Sequence, residues 1–448
     1  MELGVYRPRH PERTAFYRLL EKHFDDYVYA YEERFESKAG PLRSVVRPTV
    51  DAFLDCGRLH GGFARIRCPS CKDEHLLAFS CQSRNFCPSC QAKRSWLFAE
   101  KLREEILAPV PHRHFTLSIP KALRGLFERE RSLLSLLSQT AFEAINKSFQ
   151  KLFDRKDVRP GSVSSIQTLG SFGANWHPHI HCLVTEGVFT PQGEFLPLPE
   201  PANSILKVIE ERFRRLLLKR LHRAERLSEE FMNRLLQWNP SGFSVYAEQL
   251  VWDDEPQRLE KLARYLTRAP VRVDGVSQTQ DSRVLLTTPP DPLTGETLLF
   301  LDSLDWVHAI CQQIPDRGQH LTRFYGAYAN RIRKALFEDA SPDAPSSPSS
   351  SPPPSEPDPA SAGAPASRAC WARLIRKVFE VDPLICARCG GEMKVIAVVP
   401  QFEGAQGRGQ NRSTPSGKGR IRARSAWSRP AIPPELRGVC SSALAKLA

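Results

Sequence analysis

The sequence predicts an α+β protein in which a small, zinc-ribbon-like cysteine module precedes a larger domain built on an antiparallel sheet with helices. Three observations carry this. Residues 114–119, 164–169 and 178–184 read as strands, the first by clean alternation of apolar positions. Residues 132–153, 204–237 and 258–268 carry apolar residues at steps of three and four, which a helix gathers into one stripe. Upstream, Cys68-Pro69-Ser70-Cys71 and Cys87-Pro88-Ser89-Cys90 form two CxxC knuckles separated by residues 72–86.

At 448 residues the chain is too long for one ordinary core and divides most naturally into two or three folded parts. A hydrophobic fraction of 41% is ample for burying them. With 63 Lys and Arg against 50 Asp and Glu, the formal charge of +13 favours a polyanionic partner, nucleic acid first. The first residues contain no apolar signal core, and no stretch approaches the roughly 18 apolar residues of a membrane span, so a cytoplasmic, nucleoid-associated protein without a membrane partner is expected. Twelve cysteines, several in CxxC pairs, then point to metal or redox use rather than to a disulfide framework.

In chain order, residues 1–50 read as amphipathic helix around Phe16, Leu19, Leu20, Phe24 and Tyr27. Residues 51–110 form the cysteine module. Two CxxC knuckles at this spacing are a tetrahedral zinc pattern, with Cys68, Cys71, Cys87 and Cys90 as the four thiolates and zinc supplying much of the folding energy. Cys56 and Cys81, alone or with His60 or His75, are either core thiols or part of a second site. Arg58, Arg65, Arg67, Arg84, Lys93 and Arg94 suit phosphate contacts or a solvated surface. A helix is expected over residues 95–107.

Residues 111–335 form the larger domain, and its centre is Trp176-His177-Pro178-His179-Ile180-His181-Cys182-Leu183-Val184. On a strand, His179 and His181 share one face, while Ile180 and Cys182 take the other, so two imidazoles can grip one cation. Pro178 lacks a ladder donor and is expected at the strand entrance, with His177 just outside. The strand at 164–169 is its expected antiparallel neighbour, from which Gln167 reaches towards the same cation or satisfies a backbone group. The basic run Arg212, Arg214, Arg215, Lys219, Arg220, Arg223 and Arg226 fits a solvated helix face better than a phosphate track.

A second helix carries the other reactive group. Asp253-Asp254-Glu255-Pro256 is a helix start, and Pro270 follows its end. Leu259, Leu262, Ala263 and Leu266 make the apolar stripe; Arg258, Lys261, Tyr265 and Arg268 fall opposite, with Arg264 beside them. A tyrosine outside the core among cations is an interface or snorkelling residue, or a phenol beside a phosphate that those cations hold while lowering the cost of forming phenolate. Beyond the domain, residues 336–368 are a Pro/Ser-rich tether, 369–400 hold the CxxC pair Cys386 and Cys389 without an evident second pair, and 401–448 read as a disordered basic tail. A half site completed by a partner, or a plain turn, is expected at Cys386 and Cys389.

The HPHIHCLV strand, the RYLTRAPV helix and the double CPSC module together resemble the rolling-circle insertion-sequence transposases of the IS-ninety-one type, within the HUH endonuclease superfamily. The resemblance spans most of residues 45–335, including Arg323-Phe324-Tyr325-Gly326, and continues into 371–399. It implies a metal-dependent enzyme that nicks and rejoins single-stranded DNA at element ends and targets. Tyr265 would attack phosphorus, and His179 and His181 would hold magnesium or manganese beside structural zinc. Arg258, Lys261, Arg264 and Arg268 are the expected DNA contacts. Relatives with two tyrosines one turn apart differ from this chain, which has Lys261 four residues before Tyr265; a homodimer is one way to supply the second strand transfer. Two other functions fit parts of the sequence. One is a zinc-dependent DNA-binding protein without chemistry. The other is a hydrolytic metalloenzyme using Glu186, the nearest following carboxylate.

Overall fold

A computed structural model describes residues 10–170, 175–248, 250–252, 254–270, 273–291, 294–338 and 385–400. Most of the tether, residues 369–384 with Cys370, and the tail with Cys440 lie outside the described residues. The chain divides into two units: Leu54–Gln82 with the described part of Gly363–Ala448, and Glu12–Phe53 with Ser83–Ala362.

The smaller unit is a three-stranded antiparallel sheet. Phe63–Arg67 is its central strand, paired with Glu74–Ala78 on one side and Lys394–Val399 on the other. Its core is small: Ala64, Ile66, Leu77, Phe79 and Met393, together with Cys68 and Cys386. A core of this size leaves little stability to spare without a further crosslink.

In the larger unit, five strands form one antiparallel sheet in the order Thr322–Gly326, Gly161–Leu169, Trp176–Thr185, His112–Ser118, Ser244–Ala247. The histidine strand Trp176–Thr185 is therefore central, and its two neighbours fix which residues surround the imidazoles. Gln167 stands opposite His179 and Ser165 opposite His181 on one side; Ser118 and Thr116 take those places on the other. The strand starts at Trp176, earlier than expected. The ladder with Gly161–Leu169 shifts register between Gln167 and Leu169, so Pro178 is accommodated in a bulge where its missing N–H costs no ladder bond.

Alternation then separates two faces. Ile180, Cys182 and Val184 pack into the main core with the helices Leu133–Leu152 and Leu206–Arg223. Leu183 and Val163, on the histidine face, pack under Leu259, Leu262, Ala263 and Leu266 of the helix Pro256–Leu266. Each of these leucines, once buried, contributes about 1.5–3 kcal/mol, which holds the tyrosine helix on the histidine side of the sheet. Four cations of the basic helical run clasp neighbouring structure. Arg212 donates to Ser148, Arg214 to the Leu235 and Leu236 carbonyls, Arg220 to Thr140 and Glu143, and Arg226 to Glu130. Among the described residues no helix is long and apolar enough to cross a membrane.

Candidate active site

Both side chains singled out on the histidine strand are buried, His179 at 8% and His181 at 4% exposure. The tyrosine helix brings Tyr265 onto them. Its ring centroid lies 5.3 Å from that of His181 and 5.7 Å from that of His114, edge to face in both cases. Tyr265 remains only partly buried, so one side of it faces solvent. The Tyr265 ring therefore packs against the rings of His181 and His114 on the histidine face of the sheet.

The proton positions follow from the partners. His179 Nδ1 is 2.7 Å from the His177 carbonyl, which can only accept, so Nδ1 carries the proton and Nε2 keeps its lone pair. His181 Nδ1 is 2.9 Å from His114 Nε2, and His114 Nδ1 is 3.2 Å from Glu248 Oε1. Thr116 Oγ1 lies 3.2 Å from the same His181 Nδ1, so that nitrogen faces both a ring nitrogen and a hydroxyl. His181 Nε2 is a buried atom without a hydrogen-bond partner among the described residues. Burial holds His179 down at about 4 and lowers His181 further, with His179 and His114 adding to the effect, so both imidazoles are neutral near pH 7. Two neutral imidazoles on one strand face, that of His179 fixed with its Nε2 lone pair free, are a donor set suited to a divalent cation. Among the described residues no third His, Cys, Asp or Glu converges with them as a ligand.

The end of the tyrosine helix is anchored from two sides. Ser165 Oγ donates to the Leu266 carbonyl at 2.6 Å, and Gln167 Nε2 approaches the Tyr265 and Leu266 carbonyls at 3.3 and 3.4 Å. Gln91 Nε2 and Ser95 Oγ, on the helix Pro88–Lys101, each donate to the Thr267 carbonyl at 2.6 Å. The last carbonyls of a helix lack partners within it, and here four side chains supply them. Gln167 thus spends its amide nitrogen on the helix, leaving only its oxygen for a cation.

The expected cationic residues have different places. Arg268 sits with its guanidinium carbon 4.1 Å from the Tyr265 ring centroid, and Arg264 lies 3.5 Å from that of Trp96. Arg258 pairs with Glu255 at 3.0 Å, and Lys261 is exposed. Of the module's basic residues, Arg65 pairs with Glu74, Arg84 donates to the Gln319 carbonyl and Lys93 is buried. Glu186 is no part of the site. Both its oxygens accept from Arg113 at 2.7 Å, Oε1 also accepts from the Ala202 N–H, and it lies roughly 20 Å along the strand direction from His179.

The cysteine grouping needs a correction. The sulfurs of Cys68 and Cys71 converge within 4.8 Å with those of Cys386 and Cys389, not with Cys87 and Cys90. Cys87 and Cys90 open the helix Pro88–Lys101 instead, with Cys87 at its N-cap and Pro88 in its first turn. Nor do Cys386 and Cys389 wait for another molecule, because this chain supplies the facing pair. Within the smaller unit the Cys81 N–H donates to Cys56 Sγ at 3.3 Å, and His60 Nε2 lies 2.6 Å from Asp55.

Sequence reasoning missed His114, Glu248, Ser165, Gln91 and Ser95. The one signal available for His114 was its place at the start of the alternating stretch 114–119; that this strand neighbours the histidine strand, and the register that sets it beside His181, are tertiary facts.

Residues 161–335 match the family model described as "Putative transposase", and residues 23–119 match "Transposase zinc-binding domain". The "Transposase for insertion sequence element IS801" of Pseudomonas savastanoi pv. phaseolicola is 24% identical over 376 residues, covering 80% of this chain and 85% of that protein. "Putative transposase y4qJ" of Sinorhizobium fredii is 24% identical over 329 residues, 69% of this chain and 81% of the relative. No solved structure matches.

Proposed function

Because this chain belongs to the IS91-type transposases, we propose that it nicks and rejoins single-stranded DNA at insertion-sequence ends through a covalent 5′-phosphotyrosine. The observation that carries the reading is the approach of Tyr265 to His181 and His114 across the histidine face, with Arg268 against the tyrosine ring.

His179 and His181 would hold magnesium or manganese through Nε2, with Gln167 Oε1, solvent or a phosphate oxygen completing the ligands; such an ion would polarise the scissile phosphate. Tyr265 Oη attacks phosphorus, the Oη–P bond forms and the P–O3′ bond breaks. The DNA 5′ end stays on the enzyme as a phosphodiester, and the phenol proton is balanced by the proton gained on the 3′ oxygen. Attack by a 3′ hydroxyl reverses these steps and restores the phenol, so joining needs no nucleotide cofactor. Arg268 adds positive charge beside the phosphorane as negative charge gathers on its oxygens. Behind the ligand imidazole, buried His114 stands between His181 and the exposed Glu248 and positions the His181 ring. Arg258, Lys261 and Arg264 extend the contacts to neighbouring phosphates. On this reading the partner is single-stranded DNA in the cytoplasmic nucleoid, and a second copy of the chain is one source of the second strand transfer.

The test is incubation of the full chain with a labelled oligonucleotide carrying an element terminus, plus manganese. A labelled protein band on a denaturing gel is expected for wild type. It should vanish in Tyr265→Phe, while oligonucleotide binding stays within a fewfold. Binding without cleavage in the wild type would leave a DNA-binding protein without chemistry.

A further inference from the structure

Two peptides far apart in the chain adopt one local geometry. In the first, the Lys72 N–H donates to the Cys68 carbonyl at 3.1 Å and the Cys68 N–H to the Asp73 carbonyl at 2.8 Å. In the second, the Gly390 N–H donates to the Cys386 carbonyl at 2.8 Å and the Cys386 N–H to the Gly391 carbonyl at 2.9 Å. The residue after each second cysteine is left-handed, Lys72 at φ 65° and Gly390 at φ 71°. Each CxxC is thus a tight turn that lifts both its sulfurs to the same side.

The turns face each other. Cys68 Sγ lies 3.5 Å from Cys389 Sγ, and Cys71 Sγ lies 3.4 Å from Cys386 Sγ. These separations are far longer than the roughly 2.05 Å of a disulfide. They are close to the ~3.8 Å between sulfurs that tetrahedral zinc with Zn–S bonds of about 2.3 Å requires. Cys68 and Cys386 are fully buried, as ligands at the base of such a site must be. The backbone supports the same juxtaposition, since Lys394–Val399 continues from the second turn and pairs with Phe63–Arg67, which leads into the first.

We infer that Cys68, Cys71, Cys386 and Cys389 hold one zinc ion, so that the zinc ribbon is a composite of residues near the start and near the end of the chain. The matched zinc-binding domain ends at residue 119, so half of the ligands come from outside it. The ion clamps the C-terminal strand Lys394–Val399 to the ribbon strand Phe63–Arg67. This inference is independent of the nuclease reading, because the sulfurs need no DNA and no Tyr265.

Zinc content of the purified full chain, measured by elemental mass spectrometry against protein concentration, tests it. Cys386→Ser/Cys389→Ser should lose one zinc equivalent per chain relative to wild type, and Cys68→Ser/Cys71→Ser the same one, so that the quadruple variant loses no more than either pair. Cys389→His guards against simple misfolding: a nitrogen ligand should retain the equivalent, and cobalt loaded in its place should show weaker thiolate-to-cobalt absorption than in wild type. An unchanged zinc content in Cys386→Ser/Cys389→Ser overturns the inference, as does a disulfide linking either facing pair in protein purified without oxidant. If the quadruple variant loses two equivalents, the knuckles belong to separate ions and the composite site is wrong.

Discussion

Removing Ser165 Oγ should slow the chemistry without removing any group that touches DNA. Ser165 supplies the 2.6 Å hydrogen bond to the Leu266 carbonyl, one residue past Tyr265, while Gln167 approaches the same oxygen only at 3.4 Å. In Ser165→Ala that carbonyl keeps one weak contact in a buried place, a loss of about 1–3 kcal/mol in stability. Ser95→Ala is the control: its target, the Thr267 carbonyl, retains Gln91 at 2.6 Å, so about 0.5–1.5 kcal/mol is expected. Drift of the helix end by even 1 Å moves the phenol oxygen relative to phosphorus, and misplacement of that size costs roughly a hundredfold in rate. Single-turnover adduct formation on a labelled oligonucleotide should therefore fall by roughly ten- to a hundredfold in Ser165→Ala and by a fewfold at most in Ser95→Ala. Manganese affinity and oligonucleotide affinity should be unchanged in both. Wild-type adduct rates in Ser165→Ala, with the expected loss of stability confirmed by urea unfolding, would refute the idea that these contacts position the tyrosine.

Other expectations follow from the same contacts. His114→Ala and Glu248→Gln change the two groups lined up behind His181, and manganese affinity by calorimetry should fall about 10–100-fold; an unchanged affinity in both would show that they do not position the ligand imidazole. Tyr328→Phe removes the bonds from Tyr328 to His112 Nε2 at 2.7 Å and from the Ala108 N–H at 3.1 Å, so urea unfolding should register a loss of about 1–3 kcal/mol with adduct formation intact. Arg113→Met leaves the buried Glu186 carboxylate without its bidentate partner and should cost about 3–5 kcal/mol. Glu186→Gln, by contrast, should still form the DNA adduct in whatever fraction folds, whereas a hydrolytic base at Glu186 demands loss of all cleavage.

What was legible in the sequence was local. His179 and His181 share a face because strand period is two, and Leu259, Leu262, Ala263 and Leu266 share a stripe because helix period is near 3.6; that this stripe packs on Leu183, beside the histidines, is a tertiary fact. What was not legible was long-range choice. The tetrapeptide Cys-Pro-Ser-Cys occurs twice and folds twice differently. After Cys71 come Lys72, left-handed, and Asp73, giving a turn; after Cys90 come Gln91-Ala92-Lys93-Arg94, good helix formers, so Pro88 becomes the first turn of a helix. Proximity in the sequence favoured Cys87 and Cys90 as partners for Cys68 and Cys71, but strand pairing with Lys394–Val399 brings Cys386 and Cys389 instead. His114 and Glu248 were invisible for a related reason, since only the sheet register sets them in line with His181.

In the proposed mechanism Tyr265 forms a bond to DNA under the control of the histidine pair. Protease digestion of the wild-type adduct, followed by tandem mass spectrometry, reads that bond directly. A nucleotide mass on the peptide at Tyr265 Oη, absent when His179 and His181 are both replaced by alanine, is the predicted result. A nucleotide on any other residue, or strand cleavage that leaves no protein-linked fragment at all, would contradict it.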